Sequence, residues 1–148
     1  MKSRSVTAAR VALGLVFFVF GLNGFLHFLP QPPITGPAGT FLGALVGTGY
    51  MFPLIKGTEV AGGALLLLGR YVPLALTVLA PVIVNIVAFH AFLAPSGIAL
   101  PLVVLALELS LAWAYRVSYR TVLEAHAEPT DAPPSERTPH RTVAGAHA

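Results

Sequence analysis

Cysteine is absent from this chain. That absence excludes a disulfide framework, a CxxC redox pair, iron–sulfur ligation and thiol catalysis. Charge is scarce as well. Only 10% of the 148 residues are Asp, Glu, Lys or Arg, against roughly 25% in an average soluble domain. The segments 30–55 and 91–107 contain no charged residue. The net charge is only +3 and no face interleaves basic with aromatic residues, so nucleic acid is not an expected partner. No A-x-A cleavage site follows the first hydrophobic run, which is also too long for the core of a signal peptide.

What is present is mostly apolar. The chain is 55% hydrophobic, with a mean hydropathy of +0.77. A soluble domain of this size could not cover so much apolar surface, so the expected solvent is the lipid bilayer. The pattern predicts an all-α integral membrane four-helix bundle over residues 1–120, with spans at about 8–29, 50–69, 71–93 and 98–115. Pro30, Pro32 and Pro33 stop the first span. Between the first two spans, Ala38 to Val46 places Phe41, Leu42 and Leu45 at helical spacing, after Gly36-Pro37 and before Gly47 and Gly49. That piece is too short to cross, and reads as an interfacial or re-entrant helix on the outer side. Residues 121–148 are polar, Pro-rich and without hydrophobic period, the composition of a disordered tail. His126, His140 and His147 lie in that tail without ligand spacing, and no metal site is expected.

Lys2, Arg4, Arg10, Arg70, Arg116 and Arg120 all fall on one side of a four-span arrangement, and the other side is uncharged. The positive-inside rule then puts both termini in the cytoplasm, in a bacterial cytoplasmic (inner) membrane.

The polar residues that stand out within the spans are Asn23, His27, Lys56, Glu59, Asn85, His90 and Glu108. Each charge near mid-span costs about 2.5–3.5 kcal/mol on insertion-type scales, so something must offset it. Counting about 1.5 Å per residue from the outer ends places His27 and His90 about 3–5 Å in, and Lys56 and Asn23 about 8–9 Å. Glu59 and Asn85 fall at about 12 Å and Glu108 at about 16 Å on the same count. All four spans thus contribute to one polar layer in the outer half, with Glu108 below it. Lys56, Glu59 and Gly63 share a helical face, whereas Asn85 and His90 are about 140° apart and need different neighbours. Gly14, Gly21 and Gly24 in the first span, with Gly57, Gly62 and Gly63 in the second, suit close helix approach. One lysine can neutralise only one of the two glutamates, which makes Glu108 the candidate for a neutral acid.

The residues themselves are familiar. The runs GLNGFLHFLP (Gly21 to Pro30), TGYMFPLIKGTE (Thr48 to Glu59) and APVIVNIVAFH (Ala80 to His90), with Leu107-Glu108 and AWAYR (Ala112 to Arg116), resemble the DoxX family of bacterial membrane proteins over about residues 8–120. Many relatives carry a lysine where this chain reads Asn23-Gly24. The resemblance implies kinship with the DoxD subunit of thiosulfate:quinone oxidoreductase and with redox-stress complexes. No reaction follows from the residues. The leading expectation is a quinone- or redox-linked accessory protein that uses the Lys56/Glu59/Asn85/His90 cluster. It would act with a membrane or soluble redox partner subunit, or as a homo-oligomer. A quinone is the expected cofactor class, and haem held by His27 and His90 is the weaker alternative. A non-enzymatic scaffold or assembly partner, with the polar layer as interhelical glue, is the second class. A small transporter or proton relay is the third.

Overall fold

The computed structural model describes residues 3–30 and 33–120; Lys2 and the segment 121–148, expected to be a disordered tail, lie outside them. The described residues are almost wholly helical and contain no strand. Five α-helices run α1 (Ser3–Leu26), α2 (Gly36–Gly47), α3 (Met51–Leu68), α4 (Val72–Phe92) and α5 (Ala99–Ala114), with 3-10 turns at Pro95–Gly97 and Arg116–Tyr119. α1 packs on α3, α3 on α4, α4 on α5, and α5 back on α1, with α2 leaning on α3. Among the described residues three helices (α1, α3 and α4) are long and apolar enough to cross a membrane; α5 is also apolar but has 16 residues.

Large apolar side chains stand outward on every helix: Leu15 and Phe20, Val46, Leu54 and Leu68, Val84 and Phe92, Leu102 and Leu109. Phe92 is 83% exposed and Leu68 71%. Water would not tolerate so continuous an apolar coat, and a lipid surface would.

The α1/α3 contact is made by glycine. A Cβ on Gly63 would fall 2.5 Å from the backbone N of Phe18 and 2.9 Å from the carbonyl of Gly14, so the two backbones touch. Gly21 meets Val60 and Glu59 in the same way, and Gly62 takes Leu79 of α4. Gly57, expected to join this set, has open space around it.

The helix ends are set by local chemistry. α1 stops at Leu26, three residues short of the expected 29, because His27 turns into the left-handed region (φ 50°) and Asn23 Oδ1 accepts the backbone N–H of Leu29 at 2.6 Å. α3 closes with Gly69 left-handed, Gly69 N–H donating to Leu66 O and Arg70 N–H to Leu65 O, the Schellman pattern. The Arg10 guanidinium donates to Leu66 O and Leu67 O at that same end, where the helix dipole favours a cation. Thr48 joins α2 to α3: its hydroxyl donates to Leu45 O and accepts from Met51 N–H. Past α5, the Tyr119 hydroxyl donates to Pro73 O in the first turn of α4. Arg10, Arg70, Arg116 and Arg120 therefore gather at one end of the molecule.

The dense core lies in the half nearest those arginines. Leu13, Phe17, Leu66, Leu76, Leu79, Ile83 and Leu111 are all at most 2% exposed and pack in one cluster. The opposite half is open, and the polar residues other than Glu108 lie there.

Candidate intramembrane polar site

The site starts on α3. Lys56 Nζ donates to Glu59 Oε2 at 2.8 Å, a pair one helical turn apart. The glutamate side chain is 4% exposed and the lysine 20%. The lysine stem crosses α1 at Gly24, where a Cβ would sit 2.5 Å from Lys56 Cγ. Its ammonium lies 5.7 Å from the centroid of the Phe52 ring, a cation–π contact from the same helix. Among the described residues no hydrogen bond from this pair crosses to another helix. The charges neutralise each other locally and face open space rather than a partner.

That space is divided in two. One cavity of about 410 Å³ lies between α2, α3 and α4, and Lys56, Glu59, Asn85 and His90 all line it, with Phe41, Phe52 and Phe89 as aromatic walls. A second, about 330 Å³, lies between α1, α4 and α5 and is lined by Phe17, Phe20, Gly97, Leu100 and Val104. Lys56, Glu59, Ile86, Phe89 and His90 line both. Volumes of this order, mostly apolar with a few convergent polar groups, are those of small-molecule sites.

His90 is held in place. Its Nδ1 lies 2.8 Å from Ile86 O, and a carbonyl can only accept, so Nδ1 carries the proton. The Phe89 ring meets it edge-on at 5.2 Å and in turn contacts Phe41 of α2 at 5.8 Å, which ties α2 over the first cavity.

The seven sequence candidates thus separate. Lys56, Glu59, Asn85 and His90 come together. The 140° between Asn85 and His90 does not part them, because one wide cavity reaches both. Asn23 and His27 line a third space of about 460 Å³ that also reaches Lys56, but Asn23 spends its carbonyl on Leu29 and His27 is exposed beyond the helix end. His27 and His90 share none of these three cavities. Glu108 lines none of the three; it is 5% exposed and its Oε2 is buried without a hydrogen-bond partner. Among the described residues no three His, Asp or Glu side chains are grouped to hold a metal.

Sequence reading missed the aromatic walls and Gly97. Phe52 and Phe89 are indistinguishable in sequence from lipid-facing residues, since the helix rotation that turns them inward is a property of packing. Their position beside Lys56 and His90 was the available signal.

No family model, characterised protein or solved structure matches the chain.

Proposed function

We propose that this is a four-crossing helical bundle of a bacterial cytoplasmic membrane, of DoxX type, that binds a quinone-class ligand at the wall shared by its two cavities. It acts as a redox-linked accessory to a partner subunit. The observation that carries this reading is the shared wall itself: Lys56, Glu59 and His90 face both cavities, and apart from Asn85 in the first the remaining lining is apolar. A quinone head needs hydrogen-bonding groups at its oxygens and flat apolar surfaces above and below its ring. Lys56 and Asn85 supply donors, His90 an acceptor, and Phe41, Phe52 and Phe89 the surfaces.

The scaffold reading has less support. Glue must cross from one helix to another, and the Lys56–Glu59 bond runs along α3 alone. Haem between His27 and His90 has less support, because the two share none of the three cavities described. For the fourth crossing, the 16 residues of α5 supply about 24 Å, and the flanking 3-10 turns carry the chain through the headgroup regions.

The test is purification in mild detergent with organic extraction and chromatography of bound quinone. Wild-type protein should carry quinone, and Glu59→Gln should lose most of it while keeping its elution volume. Extracts free of quinone, with no uptake of added short-tailed benzoquinone or its hydroquinone, would sink the reading.

A further inference from the structure

Lys56 lines all three cavities described, whereas its partner Glu59 lines only the first two. An ammonium carries three N–H donors, and the bond to Glu59 Oε2 at 2.8 Å occupies one of them. Asn23 stands on the same third cavity. It is 4% exposed, its Oδ1 accepts the Leu29 N–H, and its Nδ2 has no hydrogen-bond partner among the described residues. Apart from His27, the other side chains of that lining are Phe20, Leu29, Pro30, Leu42 and Phe52, which accept no hydrogen bond. Buried donors without partners are costly, and ionisable groups within a membrane bundle turn to water-filled cavities for that reason. The third cavity has about 460 Å³, against roughly 30 Å³ per water molecule, so a chain of several waters fits. His27 and Pro30, which line it, are exposed and lie past the end of α1. Toward the arginine end the bundle is closed: Leu13, Phe17, Leu66, Leu79 and Ile83 are at most 2% exposed.

We infer that the third cavity is a water-filled passage from the aqueous phase at the end opposite the arginines to the Lys56–Glu59 pair, and that the pair exchanges protons with that side alone. Water in the passage accepts from the two remaining N–H groups of Lys56 and from Asn23 Nδ2, which satisfies both residues without a protein partner. The lysine stem packs tightly on α1 at Gly24, where a Cβ would lie 2.5 Å from Cγ and 2.6 Å from Cδ. That contact holds Lys56 at the inner end of the passage, and Asn23 is the positioning residue that holds water along it. The passage gives the site a direction of proton exchange. It does not rest on the quinone reading, and holds whatever ligand the first two cavities take.

The experiment uses introduced thiols, each of which reports only its own surroundings because the chain has no cysteine. A thiol reacts fast with a charged methanethiosulfonate only where water lets it ionise. Membrane vesicles of both orientations are treated with the trimethylammonium-ethyl reagent, and Ser96→Cys and Ser118→Cys mark the two faces. Lys56→Cys/Glu59→Gln, which leaves no unpaired charge, should react from the Ser96 face at least about tenfold faster than Val103→Cys. Val103 is the control because it stands outward, 56% exposed, a turn into α5 as Lys56 is into α3. Adding Gly24→Leu, which fills the space the lysine stem vacates, should slow the reaction by about tenfold. Phe20→Cys lies on the same cavity, keeps Lys56 and Glu59, and should also react from that face alone, so the inference stays testable if the double variant does not fold. A rate no greater than that of Val103→Cys, equal reaction from the Ser118 face, or a rate unchanged by Gly24→Leu overturns the passage. Extraction of bound quinone is a separate measurement, and none of these outcomes alters it.

Discussion

Lys56 and Glu59 neutralise each other within one turn of α3, so the cost of either alone is far larger than that of the pair. Lys56→Met would leave Glu59, 4% exposed, as a buried charge without its cation. We expect a loss of about 3 kcal/mol, most of it regained in the double variant Lys56→Met/Glu59→Leu, because removing both charges removes the desolvation they share. Unfolding by SDS titration measures both. Tyr119 is a second titratable group with a structural role, at the arginine end beyond α5. Burial raises its pKa above the ordinary 10.0; the nearby Thr77 hydroxyl offsets part of this, and the Glu108 carboxylate adds to it. The unfolded chain therefore loses this proton first as pH rises. The contribution of Tyr119 to stability is complete below about pH 10 and is lost as pH climbs through the higher folded value. Tyr119→Phe should flatten the alkaline fall in melting temperature relative to wild type, while losing the bond to Pro73 at all pH values, about 1 kcal/mol.

At the scale of elements, the α1/α3 pair is the most closely approached. Backbone faces backbone at Gly63, so no rotamer change could make room for a side chain there. Gly63→Val should separate α1 from α3 and lower the melting temperature sharply, whereas Gly57→Ala, with nothing within 4 Å, should be neutral or slightly stabilising. A thermal-shift assay in detergent distinguishes them. The two glycines look alike in sequence; only the rotation of α3 tells them apart. The same rotation turns Glu59 inward. α2 matters differently. Through Phe41 on Phe89 it covers one side of the first cavity.

At the scale of the whole molecule, packing is graded. The arginine end is dense and the far end is hollow, which leaves the Lys56–Glu59 pair, Asn85 and His90 facing cavities. The gathering of arginines at one end predicts orientation as well. The chain has no cysteine, so single replacements report topology without background. Ser96→Cys, exposed in the turn between α4 and α5, should react with a membrane-impermeant maleimide on intact cells. Ser118→Cys should react only after the membrane is opened.

The helical class, the number and approximate bounds of the apolar helices, and the one-sided placement of the arginines were legible in the residues alone. Each depends on composition and spacing, which are local: hydrophobic runs, proline and glycine stops, and charge counts in the connections. The pairing of Lys56 with Glu59 was legible for the same reason, because three residues on one helix fix their own distance. Tertiary structure decided everything that depends on helix rotation and on where chain ends turn. It set the Asn23 carbonyl on Leu29, put His27 outside α1, and left Glu108 away from the three cavities described. It gave Arg10, read in sequence as one of the one-sided charges, a place on the end of α3. Depth along a helix can be counted from sequence at about 1.5 Å per residue, but the direction in which a side chain points across the bundle is set by what the neighbouring helices allow. That is why Asn85 and His90, apart on one helix, meet in one cavity with Lys56 and Glu59.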